Sequence, residues 1–500
     1  MATSDLTRRR FVQGSTAAAG GLALASPLSA LAANSAEAKR GRGARRALGY
    51  GDLRPTREQG SGLEYLELPR GFKYRIISRQ GQPMSDGNPT PGIFDGMAAF
   101  RGPNGTTVLI RNHENRSRPG EIPVVVPRGK RYDQDPNTRG GNTKLVVGGR
   151  RGDPRVIESF AVLGGTHTNC AGGVTPWNTW ITCEETFLYG SAAEPGELPG
   201  SGVPHGYSFE IPADATRPVE PIPIRDAGRF SHEAVAWLDG VLYETEDRGD
   251  CAFYRYIPDR MPREFGDLAS FDGTLEALIV RGRPNFDANT ASPGESYPVE
   301  WVKIEEPNPD TDIVRKEAQS KGAAIFDRAE GAWSSDRRIY FDCTSGGEAQ
   351  LGQLWEYTPR GGGGGGGGGG DGNNGRLRLI YESTSKEELE NPDNLVLVPA
   401  TGDVFLQEDS DEDQFVRGVN RRGRIYDFAH TLLNDFEFCG GCFSPDGQTF
   451  FLNQQGGRQT GGETGSDPRN PPNESAALTY AIWGPFDQVS TRDARSNGRG

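Results

Sequence analysis

The stretch Glu233-Ala234-Val235-Ala236-Trp237, continued through Asp239-Gly240 into Leu242-Tyr243-Glu244-Thr245-Glu246-Asp247, sets the reading of the whole chain. Two apolar runs flank an Asp-Gly pair, which is a strong short-range signal for a β-hairpin because both residues tolerate the backbone of a tight turn. The first run opens on a carboxylate followed by a small residue, and the second ends in acids. Five further segments share this design without sharing its residues. Asp95-Gly96-Met97 leads through Asn104-Gly105 to Val108-Leu109-Ile110 and Glu114, and Cys170-Ala171-Gly172-Gly173 leads to Thr179-Trp180-Ile181 and Glu184-Glu185. Glu330-Gly331-Ala332-Trp333 leads to Ile339-Tyr340-Phe341-Asp342, and Asp393-Asn394-Leu395 leads to Val404-Phe405-Leu406 and Asp409. Glu437-Phe438-Cys439-Gly440 leads through Asp446-Gly447 to Thr449-Phe450-Phe451. Hairpins recurring every roughly 50–100 residues have the spacing of propeller blades. A two-sheet sandwich is the competing all-β arrangement, but six like hairpins favour a six-bladed β-propeller with long loop insertions.

Composition agrees. With 70 Gly and 35 Pro among 500 residues, long helices cannot dominate, and helix bundles and coiled coils are excluded. The formal charge of −13 argues against a nucleic-acid or anionic-membrane partner, either of which needs a basic face. It also supplies oxygen ligands for hard cations.

In a propeller the innermost strand of each blade lines the central channel, so equivalent strand ends meet at one face. The residues opening the six first strands are Asp95, Cys170, Glu233, Glu330, Asp393 and Glu437: five carboxylates and a thiol. That many anionic groups about one axis repel unless cations bind, and a metal centre is expected there. Glu114, Glu184, Glu185, Glu246 and Asp247, which follow the second strands, add the surplus oxygens that calcium takes. Asp409, Asp411 and Asp413 mimic the start of a calcium-binding loop, but Gln414 and Asn420 stand where Gly and Glu are needed. That run reads as a solvated acidic loop or a loose calcium site.

The N-terminus carries an address. Arg8-Arg9-Arg10-Phe11 precedes a weakly apolar run to Leu31 and a small-residue close at Ala30-Leu31-Ala32, the pattern of a twin-arginine export signal. We expect residues 1–32 to be this signal, 33–50 a linker, 51–490 one propeller domain and 491–500 a tail. The protein is expected to use the twin-arginine machinery, to reach the periplasm or the exterior without stable membrane insertion, and to act as a monomer.

Several segments resemble the PhoX family of exported alkaline phosphatases. They are Arg111-Asn112-His113-Glu114-Asn115, Asn169 to Trp177 with Trp180 to Glu185, Phe230-Ser231-His232-Glu233, Arg328-Ala329-Glu330-Gly331 and Pro392-Asp393-Asn394-Leu395. The resemblance runs from about residue 50 to 485. It implies a six-bladed propeller and a mixed centre of ferric iron and calcium that hydrolyses phosphomonoesters. By the same resemblance Cys170, Glu233 and Glu330 are iron ligands, and Glu114, Glu184, Glu246 and Asp393 are candidate calcium ligands. Arg328 is the arginine that grips the phosphoryl oxygens. The chemistry is consistent, since thiolate suits iron and oxygen-only sites suit calcium. A guanidinium pairs bidentately with phosphoryl oxygens. The rival readings are another metal-dependent hydrolase on this scaffold (a phosphodiesterase, phytase or lactonase) and a non-catalytic propeller stabilised by calcium.

Other features have plainer explanations. Cys183 and Cys343 read as core residues. Cys439 and Cys442 read as a disulfide, half a zinc site or two packed side chains. His113, His167 and His232 read as supports rather than catalytic bases, since no Gly-x-Ser-x-Gly elbow accompanies them. The ten glycines Gly361 to Gly370 lack the Lys and Ser/Thr of a phosphate loop, and 361–375 is expected to be a disordered insertion in a hairpin.

Overall fold

A computed structural model describes residues 48–116, 118–150, 152–187, 203–360, 374–411, 413–457 and 476–489. The expected signal, most of the linker, the glycine run and the C-terminal tail fall outside these residues. All six hairpins form. Their strands are β1 (Phe94–Arg101) and β2 (Thr107–His113), β3 (Asn169–Val174) and β4 (Thr179–Glu184), β5 (His232–Leu238) and β6 (Val241–Glu246). Then come β7 (Ala329–Ser335) and β8 (Arg338–Cys343), β9 (Pro392–Leu397) and β10 (Val404–Glu408), β11 (Phe438–Phe443) and β12 (Thr449–Gln454). Each pair is antiparallel. The first strands touch in cyclic order, β1 to β3 to β5 to β7 to β9 to β11 and back to β1, so one axis is lined all round. The fold is all-β and of propeller type.

What holds the ring together is a separate apolar cluster at each junction. Phe100, Val108 and Ile110 meet Trp180 and Phe209 between the first and second sheets, and Ile181 and Cys183 meet Val235 and Trp237 at the next junction. Tyr243 and Phe253 meet Phe341 and Trp355, with Phe253 stacked on Phe341 at 4.3 Å. Tyr340 and Leu354 meet Leu395 and Leu406, Phe405 and Phe428 meet Phe450 and Leu452, and Met97 and Leu109 meet Phe451 and Cys442. Strands buried on both faces explain why the second strands read as nearly continuous apolar runs.

The two ends of the chain close the ring together. Leu478–Trp483 is the third strand of the last sheet, beside β12, and its outer partner is Lys73–Arg79 from near the N-terminus. The sheet of β9 and β10 is extended in the same way by Glu64–Pro69 and Leu53–Arg57. Two neighbouring sheets fuse where Ser296–Lys303 pairs with Gly375–Glu382, making nine strands continuous. Gln353–Pro359 and Gly375–Glu382 are also antiparallel neighbours, with Pro359 opposite Gly375. The glycine run therefore connects the two strands of a hairpin.

Small residues line the axis because the inner strands approach closely. A Cβ on Gly96 would lie 2.6 Å from Ala171 Cα, and one on Gly173 would lie 2.0 Å from Val235 O. Both obstacles are backbone and cannot rotate away. Gly173→Ala is therefore expected to force β3 and β5 apart and to lower stability by about 1–3 kcal/mol, the usual size of an overpacking penalty. Chemical unfolding of the variant against the parent measures it.

Candidate metal centre

A β-bulge presents five of the six strand-opening ligand candidates. The register of β1 against β2 slips between Phe94 and Met97, leaving Asp95 and Gly96 at the irregularity. The same one-residue slip occurs at Cys170-Ala171 in β3, Glu233-Ala234 in β5, Glu330-Gly331 in β7 and Asp393 in β9. A bulge bends its strand and re-aims a side chain out of the ladder. The sixth bulge departs from this series. It falls at Gly440-Gly441 in β11, and Glu437 lies just before that strand rather than at the equivalent position. Gly440 has φ +60°, and a Cβ there would meet Asp95 O at 2.3 Å, so no side chain fits.

Among the described residues four groups of potential ligands result: Asp95, Glu114 and Cys170; Cys170, Glu185 and Glu233; Glu233, Glu330 and Asp393; Asp393, Asp409 and Glu437. Within each, the donor atoms lie within 4.8 Å of one another, and all members but the half-buried Asp409 are buried. Consecutive groups share a member, so the nine side chains make one arc. The side-chain amide of Gln455 spans its ends, donating to Glu114 at 2.6 Å and to Glu437, and lying 3.4 Å from Asp95.

The electrostatics of this arc call for positive charge. Glu233 is fully buried, and among the described residues neither of its carboxylate oxygens accepts a hydrogen bond. Burial first, then Glu330, Glu185 and Asp393, push its carboxyl well above the ordinary range. Burial and the nearby Asp95 and Glu233 push the Cys170 thiol up, and its Sγ lies 3.7 Å from Asp95. Burial and Asp409 do the same to Glu437. A buried carboxylate with no donor is destabilising by several kcal/mol unless it is protonated or meets a cation. The donors thus fit metal ions: one thiol among oxygens at one end, oxygens alone at the other.

Of the seven ligands implied by the family resemblance, Cys170, Glu233, Glu330, Glu114 and Asp393 come together here, joined by the strand-opening Asp95 and by Glu437 and Glu185. Glu184 and Glu246 do not. Glu184 accepts from the backbone N–H of His167 and Gly206, each at 2.9 Å, and from His205 Nδ1 at 2.7 Å. Glu246 accepts from Tyr254 Oη at 2.8 Å. Both lie at strand ends, where neighbours face opposite ways. Of the residues that follow them, Glu185 joins a ligand group, and Asp247 meets Arg328. Nothing in the one-dimensional pattern separates Glu184 from Glu185. The acidic run starting at Asp409 is likewise corrected: Asp409 joins the arc, whereas Asp411 and Asp413 stay exposed.

Arg328 sits at the rim with φ +54°, a strained backbone for a residue with a Cβ. Its N–H donates to Arg248 O at 3.0 Å and its carbonyl accepts from Thr344 N at 2.8 Å, which fixes that conformation. The guanidinium meets Asp247 through Nε at 2.8 Å and Nη2 at 3.3 Å, and Nη2 also reaches Glu330 at 2.8 Å. Arg116, unremarked in the sequence, reaches Glu114 and, at 2.9 Å, Glu185.

The remaining candidates are structural. All six cysteines are free and buried. Cys442 packs beside Met97 and Phe451, and Cys439 donates to Phe94 O at 3.1 Å, so the pair is neither a disulfide nor part of a ligand group among the described residues. His113 bonds Gly92 O at 2.9 Å and Thr143 Oγ1 at 2.8 Å, and His232 stacks on Phe230.

A propeller with a buried acidic centre on its axis defines a class of metal-dependent β-propeller enzymes. Residues 48–457 match the family model for the alkaline phosphatase PhoX. The chain belongs to the PhoX family of alkaline phosphatases, and it is a metal-dependent phosphatase acting on phosphate esters. Among solved structures it is similar to Pseudomonas fluorescens PhoX in complex with vanadate, a transition state analogue. That match has 18% identity and a TM-score of 0.63 over 88% of this chain and 98% of that one. More distant is a putative oxidoreductase (glucose dehydrogenase) from Thermus thermophilus, at 13% identity and a TM-score of 0.33, covering 82% of this chain and 100% of that one. A putative 6-phosphogluconolactonase from Bacteroides uniformis, at 12% identity and a TM-score of 0.30, covers 75% and 94%. No curated protein matches.

The support beneath Glu184 yields a pH prediction. Burial alone would lower the pKa of His205, but Glu184 at 2.7 Å and Asp133 at 3.3 Å outweigh it and raise it to about 9. With an unfolded value of about 6.5, the His205 contribution to stability is complete below that pH. It is lost as pH rises through about 9. Urea unfolding at constant metal concentration is expected to show this fall in the parent and a flatter profile in His205→Gln.

Proposed function

We propose that the arc holds ferric iron and calcium and that the protein hydrolyses phosphomonoesters after export. The fully buried Glu233 carboxylate, without a hydrogen-bond donor and shared between two ligand groups, carries this reading. Cys170, Glu233 and Glu330 are assigned to iron, since a thiolate favours a transition metal over calcium. Glu114 and Asp393 remain assigned to calcium, with Asp95, Glu185, Asp409 and Glu437 added from the same groups. Bound cations would supply stabilisation of negative charge on the phosphoryl oxygens.

The chain's own part is orientation. Arg328 aims a planar fork at the centre, and Asp247 holds that fork through two contacts while neutralising part of its charge. A guanidinium fixed before the substrate arrives needs little reorganisation as charge builds in the transition state. Burial of the ligands keeps the local dielectric low and strengthens these interactions. The vanadate complex of the Pseudomonas protein supports a phosphoryl-transfer chemistry here too.

Export through the twin-arginine route rests on residues 8–32, and the periplasm or exterior is the proposed location. Six free, buried thiols suit a protein that folds in a reducing compartment before it is exported. Among the described residues no helix is long and apolar enough to cross a membrane. A monomer is proposed.

Elemental analysis of natively exported protein, with phosphomonoester turnover on the same sample, tests the proposal. Iron and calcium are expected together, with turnover lost on chelation. Cys170→Ser is expected to lose iron. Arg328→Ala should retain both metals while kcat/KM falls by about 10²–10³, the usual loss for one charge-stabilising donor. Calcium without iron in the parent, or full turnover by Arg328→Ala, would sink the respective assignment.

A further inference from the structure

We propose that Arg116 is a second substrate-binding residue, taking a phosphoryl oxygen of the ester from the side of the centre opposite Arg328. The inference rests on the phosphatase reading above. Arg328 and Arg116 are guanidiniums that reach carboxylates of the ligand groups. Arg328 does so at Glu330, and Arg116 does so at Glu114 and Glu185. Glu233, the middle member of the arc, shares one group with Glu185 and the next with Glu330, so the two cations flank it. Both side chains are partly open, 28% for Arg328 and 18% for Arg116, while the carboxylates beneath them are buried.

Cation binding changes what Arg116 needs. While Glu114 and Glu185 are unshared carboxylates, they neutralise the guanidinium. Once their charge is drawn to metal ions, that attraction weakens and the guanidinium lies beside positive charge. Like charges at short range in a site of low effective dielectric repel strongly, so an arriving dianion becomes the favourable partner. Arginine suits that exchange because its fork pairs with two oxygens of a phosphate.

The backbone at Arg116 and at Arg118 is already held. Glu121 accepts the backbone N–H of both Arg116 and Arg118 at 3.0 Å. Asn115 Nδ2 donates to Ile122 O at 3.0 Å and Arg139 O at 3.2 Å. The side chain therefore exchanges partners by rotation, without movement of its backbone.

The test compares metal-loaded parent, Arg116→Ala and Arg116→Lys by iron and calcium content, steady-state turnover of a phosphomonoester, and direct binding of inorganic phosphate by calorimetry. Arg116→Ala is expected to keep its metals, to raise KM at least 10-fold and to weaken phosphate binding by a similar factor. Arg116→Lys should recover part of both, since it restores charge without the fork. Metal loss in Arg116→Ala with metal retained in Arg116→Lys would show that Arg116 only holds Glu114 and Glu185 in place, and would overturn the proposal. Unchanged KM and unchanged phosphate binding in Arg116→Ala would overturn it as well. A parent that binds phosphate but turns over no ester would refute the phosphatase reading, and phosphate binding then decides Arg116 separately.

Discussion

Mutual repulsion among buried anions is the constraint on which this structure turns. Eight carboxylates and one thiol share the axial end of the inner strands, and a low-dielectric interior magnifies every charge among them. Glu233 has no donor to offset its burial, and its neighbours Glu330, Glu185 and Asp393 each disfavour its ionisation. Such an arrangement is stable with cations or with protons, and the thiol within it favours a transition metal. The rest of the fold serves to hold these groups at short range in spite of their repulsion.

Two features of the inner strands accomplish that. The repeated bulge turns one side chain per strand out of its ladder, at the same register in five strands. The small residues beside each bulge then let neighbouring strands approach until Cβ atoms would overlap backbone, as at Gly96 and Gly173. Apolar clusters at all six junctions supply the cohesion, and the strand Lys73–Arg79 locks the last sheet to the beginning of the chain. At the rim, strain at Arg328 is held by backbone bonds on both sides and by the Asp247 carboxylate. This fixes a cation at the rim, beside the buried acids.

Much of this was legible in the chain. The six hairpins could be found because Asp-Gly and Asn-Gly turns and apolar alternation are local properties. Asp95, Cys170, Glu233 and Glu330 could be found because each opens a strand beside Gly or Ala, and Asp393 because it opens one beside Asn394. Glu437 entered by the same rule yet occupies a different place, since its strand carries the bulge at Gly440-Gly441. Arg116 was not singled out beside its near neighbour Glu114, because its second contact, with Glu185, lies 69 residues away.

The sequence by itself determined the fold class, the family and the identity of the axial thiol and most of the axial acids. Those are carried by turn chemistry, periodicity and motif residues that act over a few positions. Only the tertiary structure decided between Glu184 and Glu185, recruited Asp409 from an acidic loop, and paired Arg328 with Asp247. The reason is physical. Which of two adjacent acids faces the axis depends on strand register, and which cation meets which carboxylate depends on how the sheets pack, and neither is a property of any short segment.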